Sequence, residues 1–205
     1  MKRIYLTLLI VFTYPMADNL MAIEEAEYTV SSRDSEIEIR DDSPSIVAEV
    51  IVNGNFEDAS NVAFRKLFKY ISGDNYSRSK IAMTAPVTQK SQSEKIAMTA
   101  PVSQRAASQG WAVSFMMPSS YTLDTIPLPV DDSVKLREIP AYRAAAIRYS
   151  GTWSEKRYQD HLALLNRWIE ENDIETMGQP LWARYNAPFV PWFMRRNEIL
   201  IPIIL

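Results

Sequence analysis

The hydrophobic period of this chain changes twice from that of a strand to that of a helix, and this constrains its fold more than any other feature. Residues 46 to 52 (IVAEVIV) alternate as half-buried strands do, and the apolar residues from 56 to 71 then recur at helical spacing. The same change separates residues 143 to 150 from residues 153 to 172, and a glycine lies at each transition. The sequence therefore predicts two units in which a strand leads into a helix.

Further strand-like segments follow the same order around both predicted helices. They lie at 28 to 32, 36 to 40, 111 to 118, 181 to 186 and 197 to 203. Matched order and matched changes of period predict an internal duplication of a β-α-β-β unit, with halves at about 28 to 118 and 130 to 205. We expect an α+β domain in which a mostly antiparallel sheet carries two main helices.

The octapeptide KIAMTAPV occurs twice, at 80 to 87 and at 95 to 102. As a strand it places Ile81 and Met83 on one face, and its proline, which lacks an N–H donor, belongs at a strand end or edge. We interpret the two copies as strands that flank a solvated loop, TQKSQSE, most simply as a hairpin. Because the first copy directly follows the first helix, we expect it to be the strand that the fold requires and the second to be a spare copy.

The composition excludes several classes of site. The chain has 205 residues, a formal net charge of -3, no cysteine and one histidine. Without cysteine there is no disulfide, thiolate nucleophile, zinc finger or iron–sulfur ligand, and a single histidine leaves little for a metal site built from imidazoles. The acidic balance argues against a general nucleic-acid binder, since affinity for phosphates needs clustered lysine and arginine.

The N-terminal residues resemble a secretory signal peptide. Lys2 and Arg3 precede an apolar run from Ile4 to Tyr14, and small residues follow up to Ala22. The run is too short to span a bilayer as a helix, which needs about 20 residues. We expect residues 1 to 22 to be cleaved near Ala22, and a single domain (23 to 205) to be exported to the periplasm or secreted, with no stable membrane insertion of the mature chain. A retained anchor or a buried helix is the alternative.

Three motifs in matching order resemble the SOUL haem-binding family. They are LFKYISGDN at 67 to 75, the repeated KIAMTAPV, and RYNAPFVPWFMRRNEILIP at 184 to 202. The resemblance covers nearly all of the chain after Tyr28. It implies a distorted β-barrel built from two β-α-β-β repeats, which agrees with the duplication above. It also implies non-enzymatic binding of haem or a related tetrapyrrole in an apolar surface pocket, as a carrier, buffer or scavenger.

The family's pocket lies by the first helix and the loop before the last strand. Residue by residue, the resemblance places it on Phe64, Phe68, Lys69, Phe189, Val190 and Trp192. Aromatic faces suit a flat macrocycle, and a lysine at the rim suits its propionates. The chain also departs from the pattern, because better-studied animal members carry basic residues at the positions of Asn61 and Val190.

Three side chains are candidate axial ligands to haem iron, and for each we favour a structural role. His161, the only imidazole, falls by helical spacing at the border of the second helix's apolar face, where a partly buried histidine is the simpler interpretation. The implied pocket also lies on the other helix. Met83 and Met98 occupy the same place in the two octapeptides, and core packing is the ordinary role of methionine.

Other interpretations stay open at this point. A hydrolase-like enzyme could use the cleft between the repeats, with Glu49 or Glu138 as the acid or base, although neither GxSxG nor HExxH occurs. A binding module for another apolar ligand is a third possibility. Arg195 and Arg196 could bind ligand carboxylates, but Arg196 and Glu198 share a strand face and we expect them to pair.

Overall fold

The computed structural model describes residues 23–78 and 93–204, so residues 1 to 22 and the first octapeptide copy lie outside the described residues. The described chain has an α+β fold. Its elements are β1 (Tyr28–Asp34), β2 (Ile37–Asp42), β3 (Ser45–Val52), α1 (Phe56–Ser72), β4 (Asn75–Tyr76), β5 (Val102–Ala107), β6 (Gly110–Met116), β7 (Leu128–Pro129), β8 (Lys135–Ile139), β9 (Tyr142–Tyr149), α2 (Glu155–Glu171), β10 (Glu175–Thr176), β11 (Leu181–Arg184), a short 3-10 turn (Trp192–Met194) and β12 (Asn197–Ile204).

A large antiparallel sheet curls into a half-barrel. Its strand order is β1-β2-β9-β12-β11-β5-β6-β3-β8, and β10 adds to β12. Strands β4 and β7 form a separate antiparallel pair. Strands far apart in sequence are therefore neighbours, since β2 pairs with β9 and β5 pairs with β11.

Both predicted helices are present, and local signals fix where they begin and end. The side chain of Asn55 accepts a hydrogen bond of 2.8 Å from the Asp58 N–H and caps α1. Gly73, with φ of 125°, ends that helix in a backbone region that favours glycine. Ser154 caps α2 in the same way as Asn55 caps α1, accepting from the Arg157 N–H.

The sheet has two different faces. The helix-side face packs against α1 and α2 and carries the two larger core clusters, in which the Phe56 ring lies 4.8 Å from Trp182 and 5.2 Å from Tyr158. The opposite face, called the open face here, carries a smaller cluster that is rich in alanine. Its buried members are Ala100, Ala144, Ala146, Ala183, Tyr185 and Leu200.

The second octapeptide copy is part of the core, so the expectation that it is a spare copy is wrong. Ile96 is 5% exposed beneath α1, and its N–H donates to the Ile71 carbonyl at 2.8 Å. Thr99 donates its hydroxyl hydrogen to the Met116 carbonyl, and Ala100 packs in the open-face cluster.

The predicted hairpin strand is also wrong for this copy. Only its last residue, Val102, belongs to a regular strand. The physical reason is that the segment crosses from Ile96, in the cluster under α1, to Ala100, in the cluster on the open face. A strand that lies within the sheet does not cross from one face to the other in this way. Pro101 also offers no N–H for a sheet hydrogen bond.

Candidate functional site

The aromatic residues predicted on α1 lie at the edge of the helix-side core. Phe64 is half-buried; its ring stacks on Phe68 at 6.0 Å and meets Phe115 of β6 edge-on at 5.2 Å. Phe68 is 50% exposed. Lys69, in the last turn, is exposed beside it. The C-terminal end of α1 therefore carries a solvent-exposed apolar surface with the Lys69 ammonium beside it.

The predicted loop residues are more exposed still. Phe189 is 87% exposed and Trp192 is 55% exposed. Phe193 and Met194, which are not among the predicted site residues, are 59% and 65% exposed and continue the same apolar surface. Their signal was the unbroken PFVPWFM stretch, in which the apolar run goes on beyond the residues that the family pattern names. So many exposed apolar side chains in succession are unusual for a surface that contacts only water.

Arg195 holds this loop in shape. Its Nε donates to the Val190 carbonyl at 2.8 Å, and its Nη2 donates to the Pro188 carbonyl at 2.6 Å. Backbone hydrogen bonds add to this, among them Val190 N–H to the Ala187 carbonyl at 3.1 Å. Hydrogen bonds therefore hold the loop, while its aromatic rings stay at the surface.

The two predicted groups do not touch. Within the described part of the chain, no hydrogen bond, ion pair or ring contact joins Phe64, Phe68 or Lys69 to the loop at 189–192. The helix-side sheet surface connects them instead. Across three neighbouring strands of that surface, Phe115 of β6 pairs with Val102 of β5, and Val102 pairs with Arg184 of β11. Neighbouring strands are about 4.8 Å apart, so Phe115 and Arg184 are separated by about 10 Å.

Arg184 has unusual surroundings for an arginine. Its guanidinium carbon lies 4.8 Å from the centre of the Trp182 ring and 5.4 Å from that of Trp153. Arg195 lies over the same Trp153 ring at 4.4 Å. Nε and Nη2 of Arg184 are enclosed and have no hydrogen-bond partner in the described chain. Burial lowers the pKa of Arg184 to about 10, against a smaller opposing effect of Tyr149.

His161 has the features of a structural side chain. Its Nδ1 lies 2.7 Å from the Arg157 carbonyl, which accepts from it, and its ring stacks on Tyr149 at 3.9 Å. Met98 is half-buried against the core under α1. Among residues 23–78 and 93–204, no three histidine, aspartate or glutamate side chains gather as they do at a metal site.

A cavity of about 730 Å³ lies on the open face, away from the predicted residues. Small side chains in the middle of the sheet, Ser103, Ser114 and Ala183, leave this space free, and none of the six predicted site residues lines it. Glu49 and Glu138, the carboxylates named above for a possible enzyme, do line it. Glu49, however, is bound at 3.0 Å by Arg105 and at 2.9 Å by Arg137.

A buried network of charges lies beside this cavity. Glu198 accepts from Arg40 at 2.8 Å and from Arg196 at 2.7 Å, which confirms the predicted pair of Arg196 and Glu198. Burial acts to raise the pKa of Glu198, but the two guanidinium groups outweigh it and hold that pKa below its usual range. Asp42, which accepts from Arg40 at 3.1 Å, has a raised pKa because burial dominates there.

Comparison with known proteins identifies the family. Residues 23–202 match the family described as SOUL heme-binding protein. The chain belongs to this family. It is 25% identical over 144 residues to Heme-binding protein 1 of Xenopus tropicalis, a match that covers 70% of each protein. It is 26% identical over 144 residues to Heme-binding protein 1 of Mus musculus, again with 70% of each covered.

Solved structures show the same fold at low identity. The crystal structure of the EcmrR C-terminal domain matches with a TM-score of 0.50 and 13% identity, over 86% of this chain and 98% of that chain. The cryo-EM structure of an EcmrR–DNA complex matches with a TM-score of 0.54 and 13% identity, over 82% of this chain and 56% of that chain. Separately, neither helix of the described SOUL-family chain has the length and apolar character needed to cross a bilayer.

Proposed function

We propose that this protein binds haem or a related tetrapyrrole, without catalysis, on a surface formed by Phe64, Phe68, Lys69, Phe189, Val190 and Trp192. We call this the aromatic surface. The observation that carries the proposal is the exposure of the loop rings, 87% for Phe189 and 55% for Trp192. Large apolar groups left in water favour a ligand that covers them, and a flat macrocycle matches aromatic faces.

The family supports the same ligand class. The curated relatives bear the name Heme-binding protein 1, and the family description names heme. A bound tetrapyrrole would supply a broad apolar ring and two propionate carboxylates. The residues of the aromatic surface would enclose the ring, and Lys69 would lie at its edge.

Iron ligation by this chain is not part of the proposal. His161 lies on α2, where its ring stacks on Tyr149 at 3.9 Å, whereas the aromatic residues lie on α1 and the loop. We expect His161→Ala to leave the haemin Kd within about threefold, which is under 1 kcal/mol. A hundredfold loss in a folded variant would make His161 the axial ligand and overturn this part of the proposal.

A haemin titration followed by the Soret band tests the proposed surface. We expect saturable binding by residues 23 to 205, and a Kd at least tenfold weaker for the double variant Phe189→Ser, Trp192→Ser. Leu164→Ser is the matched control, because Leu164 is also an exposed apolar residue, at 49%, but lies on α2. Equal affinity of the double variant and the control would place the ligand elsewhere.

The open-face cavity favours a second candidate function, the binding of an apolar ligand in the cavity itself. Its volume of about 730 Å³ lies within the usual range for small-molecule pockets. Ser114→Trp would fill the space beside Ser103. If this variant lost haemin binding while the loop double variant kept it, the cavity would be the tetrapyrrole site.

We also propose that the protein acts after export, as a carrier, buffer or scavenger in the periplasm or the medium. The support is the signal-like pattern of residues 1 to 22. Intact-mass analysis of exported protein should give a chain that starts near Ile23. A soluble cytoplasmic pool that retains Met1 to Ala22 would contradict it.

A further inference from the structure

Two guanidinium groups lie against one tryptophan next to the aromatic surface, and neither has a carboxylate partner in the described chain. Arg184 and Arg195 lie 5.4 Å and 4.4 Å from the centre of the Trp153 ring. The ion pairs of residues 23–78 and 93–204 include neither of them. Trp153 itself is fixed, because its Nε1 donates to Asn197 Oδ1 at 2.9 Å.

The two arginines differ in what their nitrogen atoms do. Arg195 uses Nε and Nη2 to bind the loop carbonyls of Val190 and Pro188. Arg184 has Nε and Nη2 enclosed and without a partner, so Nη1 is its one guanidinium nitrogen that is neither enclosed nor hydrogen-bonded. Arg195 is therefore committed to the loop, whereas Arg184 has a donor available to a ligand.

An unpaired guanidinium in such surroundings favours an anion. The interaction between opposite charges strengthens as water is removed, and a partly buried charge without a partner is costly. The rings of Trp153 and Trp182 offset part of this cost through cation–π contacts but accept no strong hydrogen bond. A carboxylate at Nη1 would supply the missing charge and a charge-assisted hydrogen bond.

The position of Arg184 relates it to the proposed ligand. It lies on the helix-side sheet surface, two strands and about 10 Å from Phe115, which contacts Phe64 of α1. On its other side, Trp153 and Arg195 connect it to the loop that carries Phe189 and Trp192. It therefore lies between the two parts of the aromatic surface.

We propose that Arg184 binds a propionate carboxylate of the tetrapyrrole through Nη1, an inference that rests on the proposed function. This arginine then supplies a cation that Asn61 and Val190 do not. Arg195 acts as a positioning residue, since it holds the loop and shares Trp153 with Arg184. The three arginines that line the cavity are less suited. Arg105 and Arg137 already bind Glu49, and Arg40 binds Asp42 and Glu198.

A pair of porphyrins tests this assignment directly. Haemin and its dimethyl ester share the ring and the iron, but only haemin carries free carboxylates. We expect the wild-type chain to bind haemin about tenfold more tightly than the ester, by Soret titration and by quenching of tryptophan emission. Arg184→Leu should lose that preference by weakening haemin binding alone, and Arg184→Lys should keep part of it.

Arg105→Leu is the matched control, because it removes a half-buried arginine from the open face and should keep the full preference. Arg184→Leu should fold, since it removes an enclosed cation that has no hydrogen-bond partner, and a urea melt of each variant checks this. An unchanged preference for haemin in folded Arg184→Leu, or equal binding of both porphyrins by the wild type, would overturn the role of Arg184 alone. Saturable binding of neither porphyrin would overturn the proposed function, and this inference with it.

Discussion

The two faces of the sheet are built from alternate residues of the same strands, yet they differ in almost every physical respect. On β12, Ile199 and Ile201 face the helices and join an apolar core, whereas Glu198 and Leu200 lie on the open face. The helix-side face is filled by stacked aromatic rings. The open face combines small residues, ion pairs and a cavity of about 730 Å³.

This difference shows how one sheet can have closely packed parts that stabilise the fold and other parts that leave room for a ligand. Close packing on the helix-side face leaves large rings exposed at its margin, among them Phe68 at the end of α1 and Phe189 and Trp192 in the loop before β12. The open face instead buries charges, which must be paired to be tolerated. We therefore expect substitutions on the two faces to differ in size and in their dependence on pH.

The largest effect should follow truncation of the aromatic centre under the helices. Phe56→Ala removes a ring that lies within 5.2 Å of three other aromatic rings, and should lower the free energy of unfolding by about 3 to 5 kcal/mol. Met116→Ala, which borders the open-face cavity, should cost less, because space already exists beside it. Urea melts compare the two, and equal losses would contradict the contrast between the faces.

The two octapeptide copies offer a comparison of identical sequences. Ile96 is 5% exposed in the core under α1, so Ile96→Ala should cost about 2 to 4 kcal/mol. Ile81→Ala makes the same change at the equivalent position of the first copy. We expect it to cost clearly less, because the second copy already fills this place in the core. Equal losses in urea melts would show that the fold needs both copies.

Breaking the buried charge network should have a smaller effect that depends on pH. Glu198→Gln leaves Arg40 with Asp42 and Glu38, so we expect a loss of about 2 kcal/mol at pH 7, below the 3 to 5 kcal/mol of a charge left unpaired. A depressed carboxyl pKa stabilises the fold above the unfolded value and loses that contribution as pH falls through the folded value.

The difference between wild type and Glu198→Gln should therefore shrink as pH falls below the usual glutamate pKa of about 4.3. Asp42 has a raised pKa and acts in the opposite direction, because its contribution to stability grows as pH falls. The stability of both proteins should therefore fall less steeply in acid. Thermal melts between pH 7 and pH 3 measure this. A difference that stays constant over that range would show that Glu198 is not the titrating group.

The smallest effect should occur at Ser114, whose side chain lines the cavity. We expect Ser114→Ala to change the free energy of unfolding by about 0.5 kcal/mol or less. Its neighbour Val113 is fully buried on the helix-side face, and Val113→Ala should cost about 2 kcal/mol. These adjacent residues of one strand thus compare the two sheet faces directly. Similar losses of unfolding free energy for the two variants in urea melts would weaken the contrast between the faces.

Much of the secondary structure was predictable from the sequence. The period changes predicted α1 and α2 to within two residues, and alternation predicted β3, β9 and β12. A two-residue spacing on one strand was enough to predict the pair of Arg196 and Glu198. These features depend on neighbouring residues, so the pattern that specifies them lies within a short window of the chain. The exposed edge strand β8 was missed, because its KLREI sequence is mostly charged.

Other features were decided only by tertiary structure. Nothing in KIAMTAPV indicates that the second copy packs under α1, because identical segments have identical local preferences and only long-range contacts give a copy its place. The aromatic residues of the predicted site were recognisable from family motifs, but Arg184 was not. Its place between α1 and the loop arises because β11 pairs with both β5 and β12. The sequence pattern of a strand predicts which of its residues share a face, but not which strands lie next to it.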